Sequence, residues 1–490
     1  MLYAPAAPAV ALRPTGPLTA PPTAPPISFT VAAEATIAAG VPPALRQAIT
    51  QALTLPNPLF LEAEEHGRST AGLDPDLWYY RTTATGELVV PRGAGRLVRA
   101  LFEEHGVPLE VVDATHSTAP VAFEERVQLS EAQERAVGAL LKRRIGVLEA
   151  PAGSGKTIMG LVAIAWRGQP ALWLTHTKEL ARQAVQRACV VLGVEPSEIG
   201  FIGDGECRIG ERLTVALVQT LARGVPPALL QVGHVVVDEC HHVVAAQMAA
   251  VVSQIPAKYV AGLSATVYRR DRLDAVIHFY LGSVVARIDA ADLADRLIQP
   301  KIVKRDTHLR PVGDSFTEIV SDLVAMPERN ALIVADVAEA VACGRRCLVL
   351  SERVGHVQEL TQQLQKRGIA AAALYGSLGK KLRGQVVEDL GTGALDVAVA
   401  TGSLVGEGFD SPRTDALFLA TPVSYHGRVV QYLGRVSRTA PGKRSAIATD
   451  YCDDNRMLWS TWRNRRIVYE GQGCPIIVSP APHHLQRRTP

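Results

Sequence analysis

The distribution of apolar positions divides the chain into stretches of different character. Residues 1–26 carry no period: Pro and Ala dominate, and Arg13 is the only charge. Such a segment offers little to bury and its prolines block helix, so 1–26 reads as a disordered tail. From Ile27 to about Pro120 globular patterning begins. ISFTVAAEATIAA is strand-like, PPALRQAITQAL opens on a proline pair and keeps a helical period, and LVVPRGAGRLVRALFEEHG reads as strand, turn and helix. These elements predict a small α+β accessory domain over 27–120.

From about Val121 short apolar strands alternate with helical stretches. IGVLEA, ALWLT, LTVALV, HVVVDE and YVAGLSAT are near-continuous apolar runs, the pattern of parallel strands covered on both faces. The pattern falters near 290–330 and restarts with CLVLSE, AAALYG, DVAVAT, DALFLAT and SAIATDY. The fold class expected is therefore α/β: two tandem parallel-sheet domains over 121–300 and 301–470, only the first with a phosphate loop. After about Tyr469 periodicity stops, and 471–490 reads as a loosely ordered tail.

Composition narrows the classes. A chain of 490 residues is too long for one core. With 51 basic and 48 acidic residues there is no whole-chain basic field, so any nucleic-acid site must be local. The seven cysteines form no CxxC pair, which argues against a structural zinc site and for a reducing, cytoplasmic setting. No apolar run reaches transmembrane length, and the N-terminus lacks the basic start and continuous apolar core of a signal peptide.

Two segments carry most of the chemistry. Residues 150–157 read APAGSGKT. In such a loop Gly153 and Gly155 let backbone N–H groups turn toward a β-phosphate, Lys156 brings charge to the β/γ oxygens, and the Thr157 hydroxyl can hold Mg²⁺. Residues 431–438 read QYLGRVSR, placing Arg435 and Arg438 three apart on one helix face, where two guanidinium groups can reach a γ-phosphate across a cleft. Together they describe one ATP site built from two halves of the chain.

Other segments gain meaning from these two. In HVVVDECHH a hydrophobic strand ends in Asp238 and Glu239; the first carboxylate suits water-mediated Mg²⁺ binding and the second the attacking water. His241 follows, either as a solvated residue or as part of the same motif. LSAT sets Ser264 and Thr266 at another strand end, as helix caps or as coupling residues. Gln133, just upstream of the first strand, is a surface helix residue or an amide that makes two hydrogen bonds to an adenine edge. VATGSLVGEGFDSP carries Gly402, Gly406 and Gly408 with Glu407 and Asp410, and its glycines permit close backbone approach to a ligand or a neighbouring domain.

Taken in order, Gln133, APAGSGKT, THTKELARQ, VQT, VDECHH, LSAT, LVLSE, ATGSLVGEGFD and QYLGRVSR resemble the motif series of superfamily 2 helicases. The chain looks like a DEAH-type member with Cys240 where Ala is commoner. GLSATVYRRDRLDAVIHFYLG is similar to the XPB/UvsW-like and restriction-motor branch. The resemblance covers about 129–450 and implies two RecA-like domains, with ATP and Mg²⁺ between them and a polynucleotide across their top. It implies that Ala152, Gly153, Ser154, Gly155, Lys156 and Thr157 cradle the triphosphate, with Gln133, Gly408 and Asp410 also near the nucleotide. Thr157 and Asp238 would serve the metal, and Glu239 the water. Arg435 and Arg438 would be arginine fingers, and His241, Ser264, Thr266 and Gln431 would couple the site to nucleic acid. The Cys240 departure leaves the metal chemistry untouched, because that side chain is no ligand in the family.

The function expected is an ATP-dependent helicase or translocase, on DNA rather than RNA. The alternatives are an RNA helicase or a remodeller of protein–nucleic-acid complexes that does not unwind. No nuclease motif is present, so any cleavage needs a protein partner. The segment LPNPLFLEAEEHGRS…LWYY…LVVPRG also resembles an accessory region that precedes this motor in some bacterial members. There Arg92, Arg96 and Arg99 cluster at a turn and helix start, where they either meet nucleic-acid phosphates or form a solvated helix face.

Overall fold

The computed structural model describes residues 25–151, 153–241, 243, 245–265, 273–289, 292, 297–402, 404, 411–423 and 426–479. The first large sheet has eight strands in the order Glu206–Arg208, Gly200–Gly203, Leu213–Leu217, Ala171–Thr175, His234–Val237, Tyr259–Ser264, Ile145–Glu149 and Val284–Arg287. All neighbours are parallel except the hairpin that adds Glu206–Arg208 at one edge. Consecutive residues of a strand face opposite sides, so burial on both faces demands an apolar residue at every position. Trp173, Val236 and Leu263 pack into a core on one face, while Leu172, Leu174, Val235 and Val237 pack into a second core on the other.

The second large sheet repeats this design. Its seven strands run Ala371–Leu374, Val397–Thr401, Cys347–Ser351, Ala416–Leu419, Ala446–Cys452, Pro300–Asp306 and Ile476–Ser479, all parallel. Leu348 and Leu350 belong to one core and Cys347 and Val349 to the other. Both blocks are RecA-like α/β units, as the alternation predicts.

Two expectations need correcting. Residues after Tyr469 are not uniformly loose: helix Arg456–Gly471 runs past that point, and Ile476–Ser479 closes the second sheet as an edge strand against Pro300–Asp306. Pro300–Asp306 itself lies where the apolar pattern falters. Its sequence PKIVKRD alternates charged with apolar residues because only part of its surface is covered.

Ahead of the motor, strands Arg81–Thr82, Leu88–Val90, Ala35–Ile37, Ile27–Val31 and Leu109–Asp113 form a mixed sheet with helices Pro43–Ala52 and Gly95–Glu104. This unit does not stand free. Phe279, from helix Asp274–Leu281 of the first large block, is buried in its core, and the Tyr79 ring lies 5.4 Å from Phe279 and 6.4 Å from Tyr280. Gly93 sits so close to the end of that helix that an added methyl would fall 2.6 to 2.7 Å from the backbone atoms Phe279 O, His278 O and Gly282 N. Only glycine permits the approach.

The arginine cluster, which the sequence leaves open between a phosphate contact and a solvated helix face, is largely part of this seam. Arg92 is buried, and its Nη1 donates to Ala32 O at 3.0 Å and Ala257 O at 2.7 Å, tying the two units together. Arg96 donates to Ser283 Oγ at 3.1 Å, and Arg99 is exposed. Burial lowers the Arg92 guanidinium pKa to about 10, and the two carbonyls compensate its lost hydration. Arg92 therefore packs the seam and is not available to nucleic acid.

Candidate nucleotide site

Strand Ile145–Glu149 runs into the phosphate loop, and helix Lys156–Arg167 begins immediately after it. Gly153 and Gly155 hold φ values of 86° and 84°, left-handed turns that a side chain would strain. They aim the loop at a helix N-terminus, the natural place for anions. Lys156 Nζ donates to Ala150 O at 3.1 Å and Pro151 O at 3.4 Å, so the ammonium is held across the loop's mouth. The Ser154 hydroxyl is buried and finds no partner among the described residues. Thr157 is half-buried on the helix's first turn. Ala152 lies outside the described residues.

Gln133 belongs to this loop. Its Oε1 accepts from Ser130 N at 2.9 Å in a capping box, and its Nε2 donates to Ser154 O at 2.8 Å. Gln133 is therefore buried, not a surface helix residue, and its amide here holds the cap and the loop. The reason is local, since Ser130 as N-cap calls for an acceptor at the third helical position.

Strand His234–Val237 delivers Asp238 and Glu239 opposite the loop. Asp238 is 4% exposed, and its Oδ1 accepts the Glu239 N–H at 3.0 Å. Burial and the neighbouring Glu239 raise the Asp238 pKa to about 7, and Lys156 opposes them. Glu239 Oε1 lies 3.7 Å from Lys156 Nζ. Two adjacent carboxylates with one ammonium are short of positive charge, and a divalent cation at Asp238 and Thr157 fits that deficit. Among the described residues no cluster of three His, Cys, Asp or Glu forms a metal site of its own. Such a cation would therefore draw its remaining ligands from phosphate oxygens and water.

Glu239 adopts φ 45°, outside the ordinary range for a side-chain residue, and this turn sends the next residue back into the core. Cys240 is fully buried there, its N–H donating to Leu263 O at 3.0 Å. It packs as a small apolar residue beside Gly262. The turn also sets His241 Nδ1 at 2.8 Å from Ser264 Oγ, both residues being buried. The Ser264 carbonyl in turn accepts from Ala150 N at 2.9 Å. The ends of three adjacent strands are thereby tied together: the phosphate loop, the Asp-Glu-Cys-His turn and the Ser-Ala-Thr segment. Thr266 lies outside the described residues, as do Gly408 and Asp410.

The second block meets this site at one edge. Helix His426–Val436 carries Gln431, buried, and Arg435, half-buried; Arg438 follows, also half-buried. A methyl added to Gly153 would lie 3.2 Å from Leu297 Cδ2, 3.7 Å from Arg438 Cγ and 3.9 Å from Gly434 O. The phosphate loop and the arginine segment are therefore close neighbours, although 285 positions separate Gly153 from Arg438 (438 minus 153). Leu297, which pairs with Arg438 in a β-bridge, lies where the sequence pattern falters and was not foreseen at the site. A Leu-Ile pair in a connecting stretch without periodicity gives no signal of its own.

Residues 126–269 match the family model for the res subunit of type III restriction enzymes, and residues 330–440 match the helicase conserved C-terminal domain. A probable helicase, D10 of Escherichia phage T5, is 24% identical over 336 residues, covering 68% of this chain and 73% of its own. A putative DNA 3'-5' helicase, Rad25 of Halobacterium salinarum, is 26% identical over 386 residues, covering 76% of this chain and 62% of its own. In fold, the described structure is similar to S. cerevisiae Dbp5 bound to RNA and ADP BeF3, with a TM-score of 0.54 at 16% identity, covering 72% of this chain and 90% of that one. No helix among the described residues is long and apolar enough to cross a membrane. With two RecA-like blocks meeting through a phosphate loop and an arginine helix, and with both family models matched in order, the chain belongs to superfamily 2 of the helicases, in the ResIII/XPB-like group.

Proposed function

We propose that this helicase hydrolyses ATP with Mg²⁺ in the seam between its two RecA-like blocks and uses the cycle to move along or unwind DNA. The observation that carries the reading is the close approach of Gly153 in the phosphate loop to Leu297, Gly434 and the Arg438 stem, which supports a nucleotide site shared by the two blocks. Bound there, Mg·ATP supplies a phosphoanhydride to cleave and a divalent charge that neutralises it. Lys156 swings from the Ala150 and Pro151 carbonyls to the triphosphate oxygens. Asp238 and Thr157 hold the cation, and Glu239 orients the attacking water and takes its proton. Arg435 and Arg438 meet the charge that develops as the seam closes. His241, Ser264, Thr266 and Gln431 report occupancy to the nucleic-acid side, with Gly408 and Asp410 near the nucleotide.

DNA is favoured by the sequence similarity to a protein named as a DNA helicase, and a nuclease partner remains compatible with the restriction-subunit match. The deciding experiment compares ATP hydrolysis with single-stranded, duplex and forked DNA and with RNA at matched low salt, since phosphate contacts make affinity steeply salt-dependent. Stimulation by DNA with displacement of a forked strand is expected. Stimulation by RNA alone would overturn the DNA assignment, and stimulation without displacement would make the protein a translocase or remodeller.

A further inference from the structure

Behind the arginine segment, three strand ends converge on a buried contact. Strands Val397–Thr401, Cys347–Ser351 and Ala416–Leu419 are neighbours in the second sheet, and their C-terminal ends lead to Gly402, Glu352 and Thr421. Helix His426–Val436 lies there with Arg428 and Tyr432. Glu352 receives Arg428 Nη1 on both carboxylate oxygens at 3.2 Å, and its own N–H donates to Thr421 Oγ1 at 2.9 Å. Tyr432 is 1% exposed, and its hydroxyl has no hydrogen-bond partner among the described residues. Glycine at 402 leaves room for that hydroxyl. A methyl there would fall far inside contact distance of the Tyr432 oxygen, 2.5 Å from Glu352 Oε1 and 3.2 Å from Tyr432 Cζ.

From this juxtaposition we infer that Glu352, Gly402, Arg428 and Tyr432 form a positioning set that fixes the angle of the helix leading to Arg435 and Arg438. Two independent ties act on that helix. The Glu352–Arg428 pair holds its first turn to one strand end, and Tyr432 wedged on Gly402 holds the next turn to another. Arg435 stands three residues beyond Tyr432, so a tilt at the wedge moves its guanidinium directly. Misplacing a charge-stabilising group by about 1 Å can cost about 100-fold in turnover. The inference rests on the finger reading of Arg435 and Arg438.

The test is a steric rescue. Gly402→Ala should lower the kcat of ATP hydrolysis by roughly tenfold or more while nucleotide affinity, read with a fluorescent ATP analogue, changes by less than about twofold. Adding Tyr432→Phe in the same chain removes the clashing oxygen and should restore most of the turnover. Glu352, about a third exposed, can swing aside, whereas Tyr432 cannot. Glu352→Gln, which leaves the core intact, should lower kcat several-fold without changing the midpoint of thermal unfolding, and it serves if Gly402→Ala misfolds. Wild-type turnover in both Gly402→Ala and Glu352→Gln, or failure of Tyr432→Phe to rescue a folded Gly402→Ala protein, overturns the positioning set. Arg438→Ala separates the two levels. If it retains full turnover the finger reading itself fails, whereas if it is inactive and the positioning variants are neutral, only the present inference fails.

Discussion

His241 Nδ1 and Ser264 Oγ stand 2.8 Å apart, both buried, and this bond, beside the one from Cys240 N–H to Leu263 O, ties the Asp-Glu-Cys-His turn to the end of strand Tyr259–Ser264. The Ser264 carbonyl also receives the Ala150 N–H at the start of the phosphate loop. A shift of the loop would therefore have a short mechanical path to Ser264 through the Ala150 backbone.

Breaking that bond should uncouple the protein more than inactivate it. Ser264→Ala and His241→Ala are each expected to leave basal ATP hydrolysis within about threefold and to reduce its stimulation by DNA severalfold. The double variant should be no worse than either single one, because both remove the same interaction. Strictly additive losses would show that the two residues act separately.

Glu239 and Lys156 make a second pair, whose variants both lose turnover but differ in ATP binding. Glu239→Gln keeps the shape of the side chain but weakens its hold on a water proton, so turnover should fall by about 100-fold or more while ATP binding survives. Lys156→Ala should abolish both turnover and tight triphosphate binding, since the loop loses its ammonium. Rapid-mixing measurements of ATP release decide the first case. Release as fast as in the wild type, combined with failed cleavage, would make Glu239 a metal-site residue instead.

The seam at residues 27–113 changes what truncation should do. The sequence alone allowed this unit to be a detachable grip, but Arg92 and Gly93 weld it to the first motor block. Removing it would expose Phe279 and strip Ala257 O of its buried donor. We expect the truncated chain to aggregate, not to hydrolyse ATP at the basal rate. Gly93→Val, which forces a branched side chain into backbone, should lower the unfolding midpoint by several degrees and loosen the seam to protease. A soluble, active truncated protein would return the unit to the role of independent accessory.

Much of this arrangement was legible because two-sided burial writes itself into sequence. VVV before Asp238 and LVL before Ser351 admit no polar residue, and their spacing announces parallel strands. The phosphate loop and the arginine segment were equally plain, since their residues are chosen for chemistry. What escaped notice depends on neighbours distant in sequence. Pro300–Asp306 and Ile476–Ser479 pair only with each other and with one further strand at the sheet's rim, so neither needs a continuous apolar run. Neither a phosphate contact nor a solvated face describes Arg92, because nothing in its vicinity discloses the carbonyl of Ala257, 165 positions away. Gly402 read as loop glycine, and its meaning depends on Tyr432 folding back upon it.

The second block should also carry an acid-sensitive latch. His356 is 3% exposed; its Nε2 lies 2.9 Å from Asn330 Oδ1 and its Nδ1 2.9 Å from Ser351 Oγ. Asn330 Nδ2 donates to Val324 O at 3.0 Å and to Glu359 Oε1 at 3.2 Å, which fixes the amide oxygen toward the imidazole. The ring is therefore the neutral tautomer with its proton on Nε2, accepting the Ser351 hydroxyl on Nδ1. Burial, with a smaller contribution from the Arg329 charge, lowers its pKa from 6.5 to about 3. The unfolded chain thus binds a proton that the folded chain refuses. The stability this group contributes is fully present above pH 6.5 and is lost as pH falls from 6.5 toward 3, at up to about 1.4 kcal/mol per pH unit. Replacing it by His356→Gln should cost stability at pH 8 but flatten the decline between pH 6.5 and 4, as read from urea midpoints at closely spaced pH values. Parallel curves for the two proteins across that window would show that the acid limb arises elsewhere.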